Sequence, residues 1–276
     1  MRIWIKRIVW VLFFVGVIVL MVRSCNVHSA RSMDKPKIVI HVKGEDAFLT
    51  EDELYDRLKR KGLIFEGQTH KTLKASLIER FISAMSEVKD VRVFTRIGSA
   101  WTIEVTVRKP IARIYNQFHE TFYLDEDGIV VQTSGLHTAR VVVVTGLIPD
   151  RITSIPVKEI INNDSLKSIR KLDDVYRISN YVCKDPELQA LIGQIHLKKN
   201  GDFVLIPLVG DQLIVFGSAF TDQEVRDKFE KLKIFYTKGL PYEGWEKYSE
   251  ISLKYRGQIV GKIKEGYKDG NEENEE

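Results

Sequence analysis

"YSEISLKYRGQIVGKI", residues 248–263, is the last patterned stretch of the chain. Ile251, Leu253, Tyr255, Gly257, Ile259, Gly261 and Ile263 alternate with Ser252, Lys254, Arg256, Gln258, Val260 and Lys262. Side chains of a strand point to opposite faces in turn, so this period of two predicts one strand with an apolar face and a wet face. Its 16 residues are long beside the usual five or six or so. Only the polar, acidic "KEGYKDGNEENEE" (264–276) follows, with nothing that could form a next strand. The strand is therefore expected at a sheet edge, where a row of backbone groups lacks a partner.

Composition narrows what such an edge could serve. The 276 residues are 44% hydrophobic and 29% charged, enough apolar material for one sizeable domain or two small ones. The net charge of +4 is localised: residues 1–23 hold Arg2, Lys6, Arg7 and Arg23 and no acid. Of the 42 basic residues, the 38 beyond them balance 38 acidic ones. A neutral body lacks the basic footprint of a nucleic-acid binder. Cys25 and Cys183 lie far apart, and nothing brings their Cα atoms within bridging distance, so no disulfide is expected.

The N-terminus reads as a membrane anchor. Ile8, Val9, Trp10, Val11, Leu12, Phe13, Phe14, Val15, Gly16, Val17, Ile18, Val19, Leu20, Met21 and Val22 form an uncharged run. Counted from Ile3, with Lys6 and Arg7 snorkelling, the span is 20 residues. At about 1.5 Å per residue it matches a hydrocarbon layer of about 30 Å. Trp4 and Trp10 suit the membrane interface. A cleaved signal peptide is the rival, but Arg23 directly after the core and a weak small-residue site at "VHSA" argue for retention. The short tail is placed in the cytoplasm and the body outside it.

Two folded units follow. In the first, "KIVIHV" (37–42) reads as a strand. "LTEDELYDRLKRKG" carries a capping box, Thr50 with Glu53, an apolar stripe of Leu54 and Leu58, and Gly62 as a stop. A second helix presents Leu73, Leu77, Phe81 and Met85 every four residues, with Ile78 and Ile82 beside them. Two strands, "VKDVRVFTRIG" and "AWTIEVTVRK", meet at Gly98-Ser99, and Trp101, Ile103, Val105 and Val107 mark one face of the second. The order β-α-α-β-β is that of a POTRA domain, a module that typically mediates protein contacts.

In the second unit Pro110 keeps Lys109 extended, as suits a domain joint. "TFYLDEDGIVV" predicts a hairpin with Asp125, Glu126, Asp127 and Gly128 at its tip. The spacing does not fit a calcium loop, so the tip reads as a solvated turn with Gly128 at positive φ. "ARVVVVTG" reads as a buried strand. Asp164 to Val182 reads as one amphipathic helix carrying Leu166, Ile169 and Tyr176, ending before "CKDPE". "IGQIHLKK", "DFVLIPLV" and "QLIVFG" are strands turned at Asn200-Gly201 and Gly210-Asp211. Thr221 and Glu224 open a last helix with Val225, Phe229, Leu232 and Phe235 inward.

Over nearly its whole length the chain resembles the FtsQ/DivIB family of bacterial cell-division proteins. The residues that carry the likeness are "VRKPIA" (107–112), "YLDEDGIVV" (123–131), "VVTG" (143–146), "VFGSAFTDQEVRDKFEKL" (215–232, with Gly217 and Lys228) and "EISLKYRGQIV" (250–260). The chain departs from the family pattern at Ser252, where aspartate is usual, and at Lys254, where arginine is usual. It also lacks the common Glu-Arg at the first unit's exit. The resemblance implies an α+β chain: one transmembrane helix, a POTRA domain, then a mainly antiparallel β domain with flanking helices. The expected bounds are 1–23 for tail and anchor, 24–36 for a linker, 37–109 for the POTRA domain, 110–263 for the β domain and 264–276 for a disordered acidic tail. It also implies a non-catalytic divisome scaffold at the septum, bound to FtsB-like and FtsL-like single-pass coiled-coil partners and working with septal wall synthases. The expected contact is β-augmentation along Tyr248, Ile251, Leu253, Lys254, Tyr255, Arg256, Gly257, Gln258, Ile259 and Val260. The plainer alternative is a closing strand whose edge is blunted by Lys254, Arg256 and Lys262.

Catalytic patterns are missing from the sequence: no nucleophile elbow, no His-Glu-x-x-His, no phosphate loop and no Cys-x-x-Cys. The histidines at 28, 41, 70, 119, 137 and 196 are scattered, with no pair at i and i+4. A membrane-anchored cell-wall enzyme, which would need paired carboxylates meeting in space, is thus the least supported class. A POTRA-bearing assembly factor would need a following membrane barrel, and too few residues remain for one. No cofactor and no metal are expected.

Overall fold

The structure, a computed structural model, describes residues 4, 10, 12–21, 23, 31–43, 49–96, 98–133, 138–153, 155–167 and 169–267. Residues 12–21 are helical and present exposed apolar side chains. Among the described residues no helix is long and apolar enough to cross a membrane. Ile8, Val9, Val11 and Val22 of the expected anchor, and Cys25, lie outside the described residues.

The described residues up to Val107 form one compact unit and those from Arg108 onward another. In the first, β1 (Lys37–His41), helices α1 (Glu51–Arg60) and α2 (Ala75–Ser83), β2 (Val88–Thr95) and β3 (Trp101–Val107) build a three-stranded sheet of order β1-β3-β2. β3 runs parallel to β1 and antiparallel to β2. Trp101, Ile103, Val105 and Val107 face the helices and are all buried. Thr50 caps α1 by accepting the Glu53 N–H at 3.2 Å, but the Glu53 carboxylate turns to Arg57 instead of completing the capping box. The stripe of α2 is centred one residue later than its four-residue spacing suggested. Ile78 and Ile82 are fully buried, while Leu77 and Phe81 are half-buried.

The second unit is one nine-stranded sheet of order β12-β11-β10-β9-β8-β7-β4-β5-β6. The strands are β4 (Pro110–Tyr115), β5 (Thr121–Asp125), β6 (Val130–Gln132), β7 (Val142–Gly146), β8 (Ile192–Leu197), β9 (Phe203–Pro207), β10 (Leu213–Gly217), β11 (Tyr248–Ser252) and β12 (Val260–Ile263). Five of the eight pairings are antiparallel; β4-β7, β7-β8 and β10-β11 are parallel. The sheet is therefore mixed. The last two parallel pairs have a helical crossover between their strands, the connection that parallel neighbours require. Helices α3 (Val157–Ile161), α4 (Asp164–Lys167), α5 (Leu172–Lys184) and α6 (Pro186–Leu191) make the first crossover. Helix α7 (Asp222–Ile234), a π-helical turn Phe235–Gly239 and α8 (Leu240–Glu243) make the second. Val175, Ile178, Val182, Val225, Phe229 and Leu232 meet Ile114, Val144, Ile195, Leu205, Ile214, Phe216 and Ile251 in a single core.

Three expectations are corrected here. The stretch 248–263 is two strands, not one: β11 and β12 pair antiparallel around a turn in which Gly257 has φ +76°. The helix expected over 164–182 breaks into α4 and α5, leaving Ile169 65% exposed, because the fully buried Asp150 carboxylate accepts the Lys171 N–H at 2.8 Å. α5 then runs on through Cys183 and Lys184, and Asp185 caps α6 by accepting the Glu187 and Leu188 N–H groups. The Cys183 thiol is free. The acidic hairpin tip is not simply solvated either. Asp125 is fully buried, ion-paired to Arg108 at 2.8 Å, and accepts the N–H groups of Asp127 and Ile129. The positive φ expected of Gly128 is present, at +74°.

α5 carries a buried ionic cluster. The Arg177 guanidinium lies between Asp173 and Asp174 at 3.0 and 3.1 Å, with Asp222 at 4.0 Å, and donates to the Ala219 carbonyl at 3.1 Å. This bond ties α5 to the segment that starts α7. Burial pushes the Asp174 carboxyl up to about 6, against the pull of Lys171 and Arg177. A carboxyl whose folded pKa is raised contributes stability that is present at low pH and lost as pH rises through the folded value. Asp174→Asn should therefore flatten the pH dependence of stability between about 4 and 6, read from urea midpoints across that range. A slope unchanged from the parent protein would contradict this.

Candidate functional site

The C-terminal edge is built from β10, α7, β11 and β12. Because β11 is parallel to β10, with Ile214 opposite Ile251 and Val215 opposite Ser252, the edge of β11 that faces away from β10 is taken up by β12. Ile251 and Leu253 are fully buried, and the Leu253 N–H donates to the Val215 carbonyl at 2.8 Å. These two residues of the expected contact set thus belong to the core. Tyr248 is half-buried beside Phe235, and its hydroxyl donates to Glu243 at 3.2 Å.

Beyond Leu253 the chain leaves the sheet. Lys254, Tyr255, Arg256, Gly257 and Gln258 form an exposed turn, Ile259 returns partly to the core, and Val260 opens β12 at 44% exposure. Two lysines hold the turn. Lys231 of α7 donates to the carbonyls of Leu253 at 3.2 Å, Tyr255 at 2.7 Å and Gln258 at 3.5 Å. Burial, and then the charge of Lys228, depress its pKa. Lys254 pairs with Asp202 of the β8–β9 turn at 2.7 Å, which raises its pKa. Its stem lies over Gly217, where φ is +78° and a Cβ would come within 2.8 Å of the Lys254 Cγ. A side chain there would be strained on both counts. Between the turn and α7 lies a groove of about 660 Å³ with Ile234, Leu253 and Tyr255 in its wall.

Among the described strands, β12 is the outermost at this end of the sheet. The Lys264 N–H donates inward to the Lys247 carbonyl at 2.9 Å, continuing the ladder one residue past Ile263. Hydrogen-bonding direction alternates along a strand, so the N–H groups of Gly261 and Ile263 face away from β11. Of the blunting residues, Lys254 is engaged by Asp202, while Arg256 and Lys262 are exposed. Sequence reasoning missed Lys231, Asp202 and the outward pair Gly261 and Ile263. Lys231 carried a signal, since it follows Lys228 by one helical turn on α7.

Other polar side chains bond within the fold. Lys228 is buried, donating to Glu224 at 2.6 Å and to the Ser218 carbonyl at 2.7 Å. His196 meets Thr145 at 2.9 Å, His70 meets the Gly98 carbonyl at 2.9 Å, and His119 sits at φ +62° in a turn closed by Asn116. Among the described residues no three His, Cys, Asp or Glu side chains converge on a metal site. His28 and His137 lie outside the described residues.

The family model for "FtsQ/DivIB, C-terminal related" matches residues 109–262, more than half of the chain and the whole of this edge up to Lys262. The chain belongs to the FtsQ/DivIB family. No curated protein matches it. Membership gives the chain a role in cell division at the septum, among other divisome components.

Lys231→Met should free three carbonyls, lower stability by about 1–2 kcal/mol, and speed amide exchange through residues 254–258. A variant with unchanged melting and exchange would show that the lysine does not hold the turn.

Proposed function

We propose that the chain is a single-pass scaffold of the divisome that carries no catalytic activity. Residues 1–23 anchor it with the N-terminus in the cytoplasm, residues 37–109 act as a POTRA domain, and the exported body binds FtsB-like and FtsL-like proteins. Through them it helps recruit or regulate septal wall synthases. The observation that carries this reading is the outer row of β12, with which no other described strand pairs, next to the exposed turn 254–258. An extended partner segment can add there by β-augmentation, with backbone bonds giving affinity and alternate side chains specificity. Gly261 and Ile263 supply the donors, Tyr255 and Val260 the apolar contact, and Arg256 and Lys262 steer acidic residues of the partner. Ile251 and Leu253 act from within the core, fixing the strand that β12 pairs with.

Ile263→Pro removes an outward donor without breaking the ladder to β11, so the body should fold normally. It should capture the FtsB-like partner at least tenfold more weakly, as should Tyr255→Ala, in pull-downs from membrane extract. Full capture by both variants at unchanged melting temperature would refute edge pairing. The topology has its own readout: a reporter active only outside the cytoplasm, fused after residue 276, should be active, and the mature chain should still begin at or near Met1. A mature chain starting after Ala30 would refute the anchor.

A further inference from the structure

In the first unit, β2 is one of the two outer strands of the order β1-β3-β2, so one long side of it faces no other described strand. That side is not left open. The Glu79 carboxylate, from α2, accepts the Val93 N–H at 2.7 Å. Val93 is paired in register with Ile103 on the other side, and Arg96 donates inward to Ala100 at 2.8 Å. By alternation the outward-facing groups are those of Val91, Val93 and Thr95. Glu79 therefore occupies the central outward donor of the strand. A register shift between Val88 and Asp90 further breaks the row at its start. Shifts and inward-reaching charges are the devices by which sheet edges are kept from pairing.

The strand also carries a pattern that makes one occupant fit. Arg92 and Asp90 are exposed, 3.8 Å apart, and flank Val91. If a second copy of β2 lay antiparallel with Val91 opposite Val91, each Arg92 would face the Asp90 of the other copy. Directly opposed unlike charges stabilise a cross-strand pair. The same edge is thus self-complementary in charge, as a two-fold interface requires, and its central donor is blocked.

We propose that Glu79 is an edge guard: its bond to the Val93 N–H keeps two copies of this chain from pairing through β2. Removing the carboxylate exposes the donor, and the copies associate by strand addition in the Val91-centred register. This contact is separate from the β12 edge and does not depend on how that edge is used.

The experiment uses the full chain in detergent micelles, followed by sedimentation over a range of concentrations. Glu79→Ala should dimerise at least tenfold more tightly than the parent protein, and the Val93 amide should exchange faster in its monomer. Adding Val91→Pro, which deletes an outward donor but no bond to β3, should return the dimer to the parent level. Asp90→Arg in the Glu79→Ala chain should also abolish it, and Asp90→Arg with Arg92→Asp should restore it. The proposal is overturned if Glu79→Ala associates no more than the parent, if Val93 exchange is unchanged, or if the dimer survives Val91→Pro.

Discussion

An open sheet has two outer rows of backbone donors and acceptors, and the chain must do something with each. In the second unit this constraint is seen most clearly along β11 and β12. β11 enters parallel to β10 by a helical crossover, so its far edge would be bare if the chain stopped at Ser252. The turn at 253–259 folds residues 260–263 back as β12, which satisfies β11; β12 is itself short and exposed, and no other described strand pairs with its outer side. The buried pair Ile251 and Leu253 anchors this arrangement in the core, and everything beyond Leu253 hangs from that anchor.

Positive charge does structural work along this edge. Lys231 gathers carbonyls that a turn would otherwise leave to water. Lys228 is buried against Glu224 and Ser218 beneath the start of α7, and Arg177 reaches the next residue, Ala219, from the other side. A buried ion pair is weak evidence for net stability, but loss of one partner strands a charge. The segment Ser218–Phe220 is thus held from two sides, which fixes where α7 begins and where Lys231 sits relative to the turn. Arg256 and Lys262 are exposed and take no part in these bonds.

Local patterns in the sequence carried much of this fold. Alternation placed Trp101, Ile103, Val105 and Val107 on one face, and the caps at Thr50 and Thr221 opened the helices expected of them. What failed did so through distance or parity. The turn between β11 and β12 keeps the alternation running, because Leu253 and Tyr255 are apolar and Lys254 and Arg256 polar. A period of two cannot then separate one strand from a hairpin, and Gly257, at φ +76°, was the only glycine within the turn. The break before α5 is imposed by Asp150, remote from the helix it interrupts, and the burial of Asp125 by Arg108. The edge itself was legible as an edge; which backbone groups face outward was not, because that depends on the bond from Lys264 to Lys247.

The decisive measurement is amide-resolved hydrogen exchange on residues 33–276, alone and with the FtsB-like protein proposed as partner. Strand addition to β12 requires that the Gly261 and Ile263 amides exchange freely in the isolated body and become protected in the complex. The inward Lys264 amide should be protected in both states. Protection that appears elsewhere while Gly261 and Ile263 continue to exchange freely would contradict pairing at this edge.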